Sequence, residues 1–340
     1  MASPLKICLV GCGRVSRSHL AGIREIPEFV ETVAVVSRDQ EKGKAFQAEY
    51  GISKYYCNIE DALKDGQIDA FSLCTPNYLH AEMTIKCAKA GRHVLVEKPM
   101  ANTSAECIQM QKAADNAGIT LMIGQSRRFF DAVFKSREMV RSGKIGELIT
   151  ITAMLFGYLP GPPTEWWKDA KMAGGLIIPI WGSHIIDYIL WMFGEAPKRV
   201  YCETYSNNPN WEGEDEATIL IGFDGHRHAT IKMSWNTWLS EAKWDGAGKM
   251  LSSSDILYHR YIQGSSGTLF LNDETKLTLN GNIIVDGSQK PGNFALQYKE
   301  FAEAVREGRK PIASGNEIIP VIRVQEAALE SARTHKEICL

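Results

Sequence analysis

Residues 7–19, ICLVGCGRVSRSH, decide the fold. A short apolar run ends in Gly11 and Gly13, and a helical pattern begins at once with Arg14 and Val15. At the end of a strand such glycines permit a tight turn and close approach of backbone to a pyrophosphate, whose charge is met by N–H groups at the helix N-terminus. The third glycine position is Ser16, so the fingerprint G-x-G-x-x-G is incomplete and its weight comes from context. The turn either binds a dinucleotide or is merely structural, and its place on the first strand of an alternating pattern favours the dinucleotide.

That pattern runs outward from the loop. LKICLV, VETVAVV, DAFSLC, HVLVE and ITLMIG read as strands, with SRSHLAGIREI, DQEKGKAFQAEY, HAEMTIKCAKA and TSAECIQMQKAADNA as helices between them. Near-continuous apolar strands alternating with helices imply a parallel sheet covered on both faces, an α/β doubly wound domain over residues 1–124. Beyond Gly124 the texture changes. KRVYCETY, EATILIGF, HATIKMSW, YHRYIQG, GTLFLN, KLTLN and NIIVD alternate polar and apolar residues and are joined by turn signals such as FDGH and LNGN. Residues 125–340 therefore read as an α+β domain with an open, mostly antiparallel sheet, closed by helices over NFALQYKEFAEAVREG and IIPVIRVQEAALESARTHK.

Composition bounds the function. A chain of 340 residues exceeds one ordinary core, so two domains are expected. Lys and Arg total 38 against 40 Asp and Glu, which gives no field to draw in nucleic acid or an acidic membrane and favours a small-molecule partner. The apolar run near the N-terminus is too short for a signal peptide, and no run reads as a membrane span. Eight scattered cysteines without a C-x-x-C pair look like reduced, buried thiols and point to the cytoplasm.

The second strand ends where an NAD enzyme places an acid on the adenosine ribose. Here Ser37 and Arg38 stand at that place, and a guanidinium suits a 2′-phosphate, so the reading leans to NADP. A shift of one residue would let Asp39 make the ribose contact, which keeps NAD open. HVLVEKPMA delivers Glu97 and Lys98 just past the fifth strand, where doubly wound folds bind ligands, with Pro99 fixing the turn. The preceding strand likewise brings Thr75, Pro76, Asn77 and His80 to its end. A solvated surface charge is the alternative for the lysine.

Taken in order, GCGRVSRSH, SRD, TPNYLH, VEKPMA, AGG before SHIID, and RVQEAALESA resemble the glucose-fructose oxidoreductase and inositol dehydrogenase family, Gfo/Idh/MocA, over nearly the whole chain. The resemblance implies NAD(P)-dependent oxidation or reduction of a sugar, sugar derivative or cyclitol, and a homodimer or homotetramer using the open sheet. It maps the family's catalytic lysine onto Lys98 and its histidine onto His184, and it puts Thr75, Asn77 and His80 on the nicotinamide side, with Gln125 among the cofactor contacts. The sequence departs from the family at one position: the usual aspartate four residues before the histidine is Ile180, and the spacing from Gly174-Gly175 to His184 is about one residue off.

On its own, His184 in IPIWGSHIID reads as a core histidine; the family register makes it a general acid/base, with Lys98 stabilising charge on the reacting oxygen. Asp187 lies on the same helical face, to orient the imidazole or bind a hydroxyl. A helix starting near Ser183 would disfavour a charged imidazole through its positive end. Tyr158, Trp166 and Trp167 in GYLPGPPTEWWKD either meet a sugar ring or anchor the loop. Arg128 is a candidate for the substrate cleft by family analogy, and the segment WLSEAKWDGAGKMLSSSDILY is a loop over that cleft or an oligomer contact. His226 and His228 lack further ligands at metal spacing, so a metal is not expected. Two rivals stand beside the dehydrogenase: a cofactor-binding regulator without turnover, and a glycosidase that keeps its NAD.

Overall fold

The computed structural model describes residues 3–159, 161–239 and 256–340, so most of the WLSEAKWDGAGKMLSSSDILY segment, residues 240–255, lies outside the described residues. It divides into two compact units, the chain up to Phe129 with Gln289–Ile319, and Phe130–Ser288 with Pro320–Leu340.

The first unit holds strands β1 (Leu5–Val10), β2 (Val30–Val36), β3 (Lys54–Tyr56), β4 (Ala70–Leu73), β5 (His93–Glu97) and β6 (Leu121–Gly124). They form one parallel sheet in the order β3-β2-β1-β4-β5-β6. Its helices are α1 (Arg14–Arg24), α2 (Gln40–Tyr50), α3 (Ile59–Leu63), α4 (His80–Lys89) and α5 (Ser104–Ala117). All four residues of β4 and of β6 are buried, as strands covered on both faces must be. Caps set the helix ends: Asp39 accepts from the N–H of Lys42 at α2, and Thr103 with Glu106 makes a capping box at α5. The strand order reverses between β1 and β4, and ligands of such sheets bind beside that switch point.

A ninth helix, α9 (Asn293–Glu307), completes this unit. Ala295, Tyr298, Phe301 and Ala302 join Leu5, Ile7 and Leu9 in one core, and α9 lies so close to α1 that a Cβ on Gly22 would stand 2.6 Å from Phe294 Cβ. The sequence-based division at residue 124 grouped this stretch with the second domain; it packs in the first.

The second unit contains α6 (Asp131–Arg141), β7 (Leu148–Phe156), α7 (Ala170–Ala173), α8 (Ser183–Phe193), β8 (Arg199–Tyr205), β9 (Glu216–Gly222) and β10 (His228–Ser234). It continues through β11 (Leu257–Gly264), β12 (Thr268–Asn272), β13 (Lys276–Leu279), β14 (Asn282–Asp286) and β15 (Ile338–Cys339), with α10 (Gly315–Thr334) entering it at Pro320. The nine strands run β14-β13-β12-β11-β7-β10-β9-β8-β15, antiparallel except for the β7/β10 pair. Register lines up Tyr201, Leu220, Thr230, Thr152 and Tyr261 across five strands on the outer face. Asn280 and Gly281, at φ 49° and 83°, make the hairpin turn that LNGN announces.

One stretch, Ala170–Phe193, is long and apolar enough by length and composition alone to cross a bilayer, where none was expected. It is not one straight helix, because Gly174 and Gly175 turn through φ 75° and 114°, and 83% of its most apolar window is buried against the protein. The apolar content belongs to the core of the second unit.

Candidate active site

The glycine loop has the geometry a pyrophosphate needs. Gly11 stands at φ 103°, and a Cβ there would lie 2.8 Å from the carbonyl oxygen of Cys74. Nothing lies within 4 Å of where a Cβ on Gly13 would be, and no side chain caps α1, so the helix start is bare. Ser16 fills the third glycine position without displacing α1: it is buried, and its hydroxyl donates to Gly11 O at 2.9 Å. Arg14 is exposed and Val15 half-buried on the first turn. These residues fit a dinucleotide.

At the end of β2, Ser37 is half-buried and Arg38 exposed, while the Asp39 carboxylate is spent on the α2 cap. At the end of β4, Thr75 and Pro76 are half-buried and Asn77 is buried, with its amide donating to Asn102 at 2.7 Å. His80 is buried too, and its two ring nitrogens stand 2.9 Å from the carbonyl oxygens of Pro99 and Thr75. It therefore ties the turn after β4 to the turn that carries Lys98. Gln125 and Arg128 are buried, and Arg128 pairs with Glu317 at 2.6 Å within the first unit. That pairing gives the guanidinium a structural partner.

Lys98 is half-buried beside the buried Glu97, which accepts the Lys98 N–H at 3.2 Å. Loss of hydration lowers the Lys98 pKa to about 8; Glu97 opposes that fall, and Arg127 and Arg14 add to it. The reading from sequence missed His19, which lies behind Glu97. Its Nε2 stands 2.9 Å from Glu97 Oε1, and its Nδ1 stands 2.7 Å from the hydroxyl of Tyr298. The available signal was spacing: Ser16, His19, Leu20 and Ile23 form the buried stripe of α1.

In the second unit every residue from Leu176 to Met192 is buried except His184, which is half-buried. The helix α8 begins at Ser183 as expected, but it is not a free start. A wide π-turn over Ile178–Gly182 runs straight into α8, so His184 sits about two turns inside and the positive-end argument for a neutral imidazole does not apply. That turn holds more residues than an α-turn. The free N–H groups lie at residues 176–178, where the carboxylate of Glu214 accepts from Leu176 at 2.9 Å and Ile178 at 3.0 Å, and the Glu214 carbonyl accepts from Ile177. Burial pushes the Glu214 pKa up, against those hydrogen bonds.

Ile180 and Asp187 are buried. Trp167 lies in the core, stacked on Trp235 with ring centres 5.6 Å apart, and Trp166 meets its edge. Tyr158 is half-buried and stacks on Trp238 at 3.6 Å. His226 occupies the turn before β10, and His228 opens that strand.

Residues 5–125 match the family model described as an oxidoreductase family with an NAD-binding Rossmann fold, and residues 133–268 match the GFO/IDH/MocA C-terminal domain. The chain is 27% identical to a scyllo-inositol 2-dehydrogenase (NADP(+)) of Bacillus subtilis, over 99% of this chain and 96% of that one. It is 30% identical to a 1,5-anhydro-D-fructose reductase of Ensifer adhaerens, over 96% of each. The crystal structure of an aldose-aldose oxidoreductase from Caulobacter crescentus superposes with a TM-score of 0.86 at 26% identity, covering 99% of this chain and 100% of that one. With the glycine loop, the switch point and both family models in agreement, the chain belongs to the Gfo/Idh/MocA family of NAD(P)-dependent oxidoreductases.

Proposed function

We propose that the protein moves a hydride between a nicotinamide cofactor and a hydroxyl-bearing carbon of a sugar, sugar derivative or cyclitol. The observation that carries this reading is the placement of His184, the one residue of a buried seventeen-residue stretch, 176–192, that keeps surface. A histidine serving only the core would be sealed like its neighbours. In the oxidative direction His184 accepts the substrate hydroxyl proton, and in the reductive direction it returns it. Lys98, as an ammonium, hydrogen-bonds the reacting oxygen and stabilises the charge that grows there. Asp187, buried three residues on, orients the imidazole in place of the absent aspartate at Ile180.

The cofactor supplies the hydride acceptor or donor. Gly11, Gly13 and the bare start of α1 hold its pyrophosphate. NADP is favoured over NAD because Arg38 is exposed at the end of β2 while Asp39 is engaged as a cap. The aromatic and aliphatic row on the outer sheet face, Tyr201, Leu220 and Tyr261, supports a homo-oligomer.

The test is to incubate the purified protein with NADP+ or NAD+ and a panel of sugars and polyols, following absorbance at 340 nm. Reduction of cofactor with at least one polyol is expected. Saturable cofactor binding with no turnover on any compound would move the reading to a regulator.

A further inference from the structure

The polar groups behind Lys98 form one connected buried chain. Ser72 Oγ stands 2.6 Å from the Tyr298 hydroxyl, Tyr298 stands 2.7 Å from His19 Nδ1, and His19 Nε2 stands 2.9 Å from Glu97 Oε1. Four elements, β4, α9, α1 and β5, each give one member, so the chain exists only in the assembled first unit. No member is more than 7% exposed. At the other end the Cys74 thiol lies 3.8 Å from Ser72. Glu97 joins these groups to Lys98, the next residue in the chain.

Its effect on that residue is electrostatic. A lone carboxylate next to Lys98 would bind the ammonium to itself, and strongly, because screening by water is weak there. A positively charged imidazole on the far side of the carboxylate cancels that pull. Gly124 keeps the carboxylate where it is: a Cβ there would come within 2.7 Å of Glu97 Oε1.

We propose that His19, held by Tyr298 and Ser72, is a positioning residue for Lys98: as an imidazolium it takes up the charge of Glu97 and leaves the lysine ammonium to the substrate oxygen. This rests on the role given to Lys98 above. Burial works against a charged His19, and Cys74, Tyr298 and Glu97 together outweigh it and hold the ring's pKa well above its usual value. Burial brings the Lys98 pKa down to about 8, the nearby charge of Glu97 opposes that fall, and Arg127 and Arg14 add to it, so any weakening of the Glu97 charge acts in the same direction as the arginines.

The decisive measurement is the titration of Lys98 by NMR in full-length protein labelled at the lysine side-chain carbons, with its signal assigned by loss in Lys98→Met. The wild type is expected to titrate near pH 8. His19→Gln keeps a hydrogen-bonding group but no charge, and it should raise the midpoint by about one unit, a tenfold gain in proton affinity. Glu97→Gln should lower it, and Tyr298→Phe should raise it by less than His19→Gln does. Midpoints unchanged in the folded variants would overturn the proposal. A second observation needs no variant: the ring nitrogens of His19, in 15N-histidine-labelled wild type at neutral pH, should both carry protons, and a neutral ring would end the idea. Full turnover in Lys98→Met would instead remove the catalytic reading of Lys98, leaving the titration result to stand by itself.

Discussion

Two helices of this protein each carry a histidine on an apolar stripe, and the two residues have opposite fates. His19 on α1 is sealed, with each ring nitrogen facing a partner from another part of the first unit. His184 on α8 keeps surface although its neighbours on both sides are buried. The letters around them do not separate the two cases, because helical periodicity reports which face turns inward and says nothing about what closes over it. What separates them is the covering: α9 lies over His19, and its Tyr298 supplies one of the ring's partners.

The sharpest way to break this contrast is to truncate both rings. His184→Ala is expected to lower turnover by about 10²–10⁴ with cofactor binding retained and the melting temperature nearly unchanged. His19→Ala should instead lower the melting temperature, since it empties a buried site and leaves the Tyr298 hydroxyl without its ring partner, a loss of about 1–3 kcal/mol. Wild-type turnover in His184→Ala would erase the distinction.

The next effect is in the pH profile. If catalysis needs the Lys98 ammonium, kcat should fall about tenfold per unit as pH rises beyond the lysine pKa of about 8, and the limb should vanish in Lys98→Met. The linked stability has the opposite sign. Between a folded value of about 8 and an unfolded value of about 10.4, the unfolded chain holds more protons. Stability contributed by this group therefore rises with pH across that window, by no more than about 3 kcal/mol and by less to the extent that the half-buried amine stays hydrated.

Arg38→Ala should weaken NADP binding about tenfold and leave NAD binding unchanged, measured by titration of intrinsic fluorescence. Equal losses for both cofactors would place Arg38 outside the 2′-phosphate site. The smallest effect on turnover is expected from Glu214→Ala, which leaves the N–H groups of Leu176 and Ile178 without their acceptor. It should cost about 1–3 kcal/mol of stability, read in a urea melt, with turnover falling only as far as the π-turn lets His184 drift.

The parallel sheet was legible because its strands are buried on both faces and so write long apolar runs. The strand β3 and helix α3 were not, being three and five residues long, with β3 only half-buried throughout. The glycine loop and the lysine at the end of β5 could be placed because strand ends are where this architecture binds ligands. The partners of those groups could not be. Tyr298 is 279 residues from His19, and Glu214 is 36 and 38 residues from the N–H groups it holds, and no local periodicity encodes contacts of that range. The start of α8 at Ser183 could be read, but the π-turn over Ile178–Gly182 that leads into it could not, because no short-range pattern announces a turn of that width.

The position of α9 has a consequence for synthesis. Its tyrosine and phenylalanine belong to the same core as the first strand, although nearly the whole second unit is translated between them. At roughly 5–20 residues per second, a ribosome that has finished Phe129 needs on the order of 10–40 s more before Ile319 emerges. Until then the nascent coenzyme lobe has an uncovered α1 flank, and its core closes only after the intervening unit has been made.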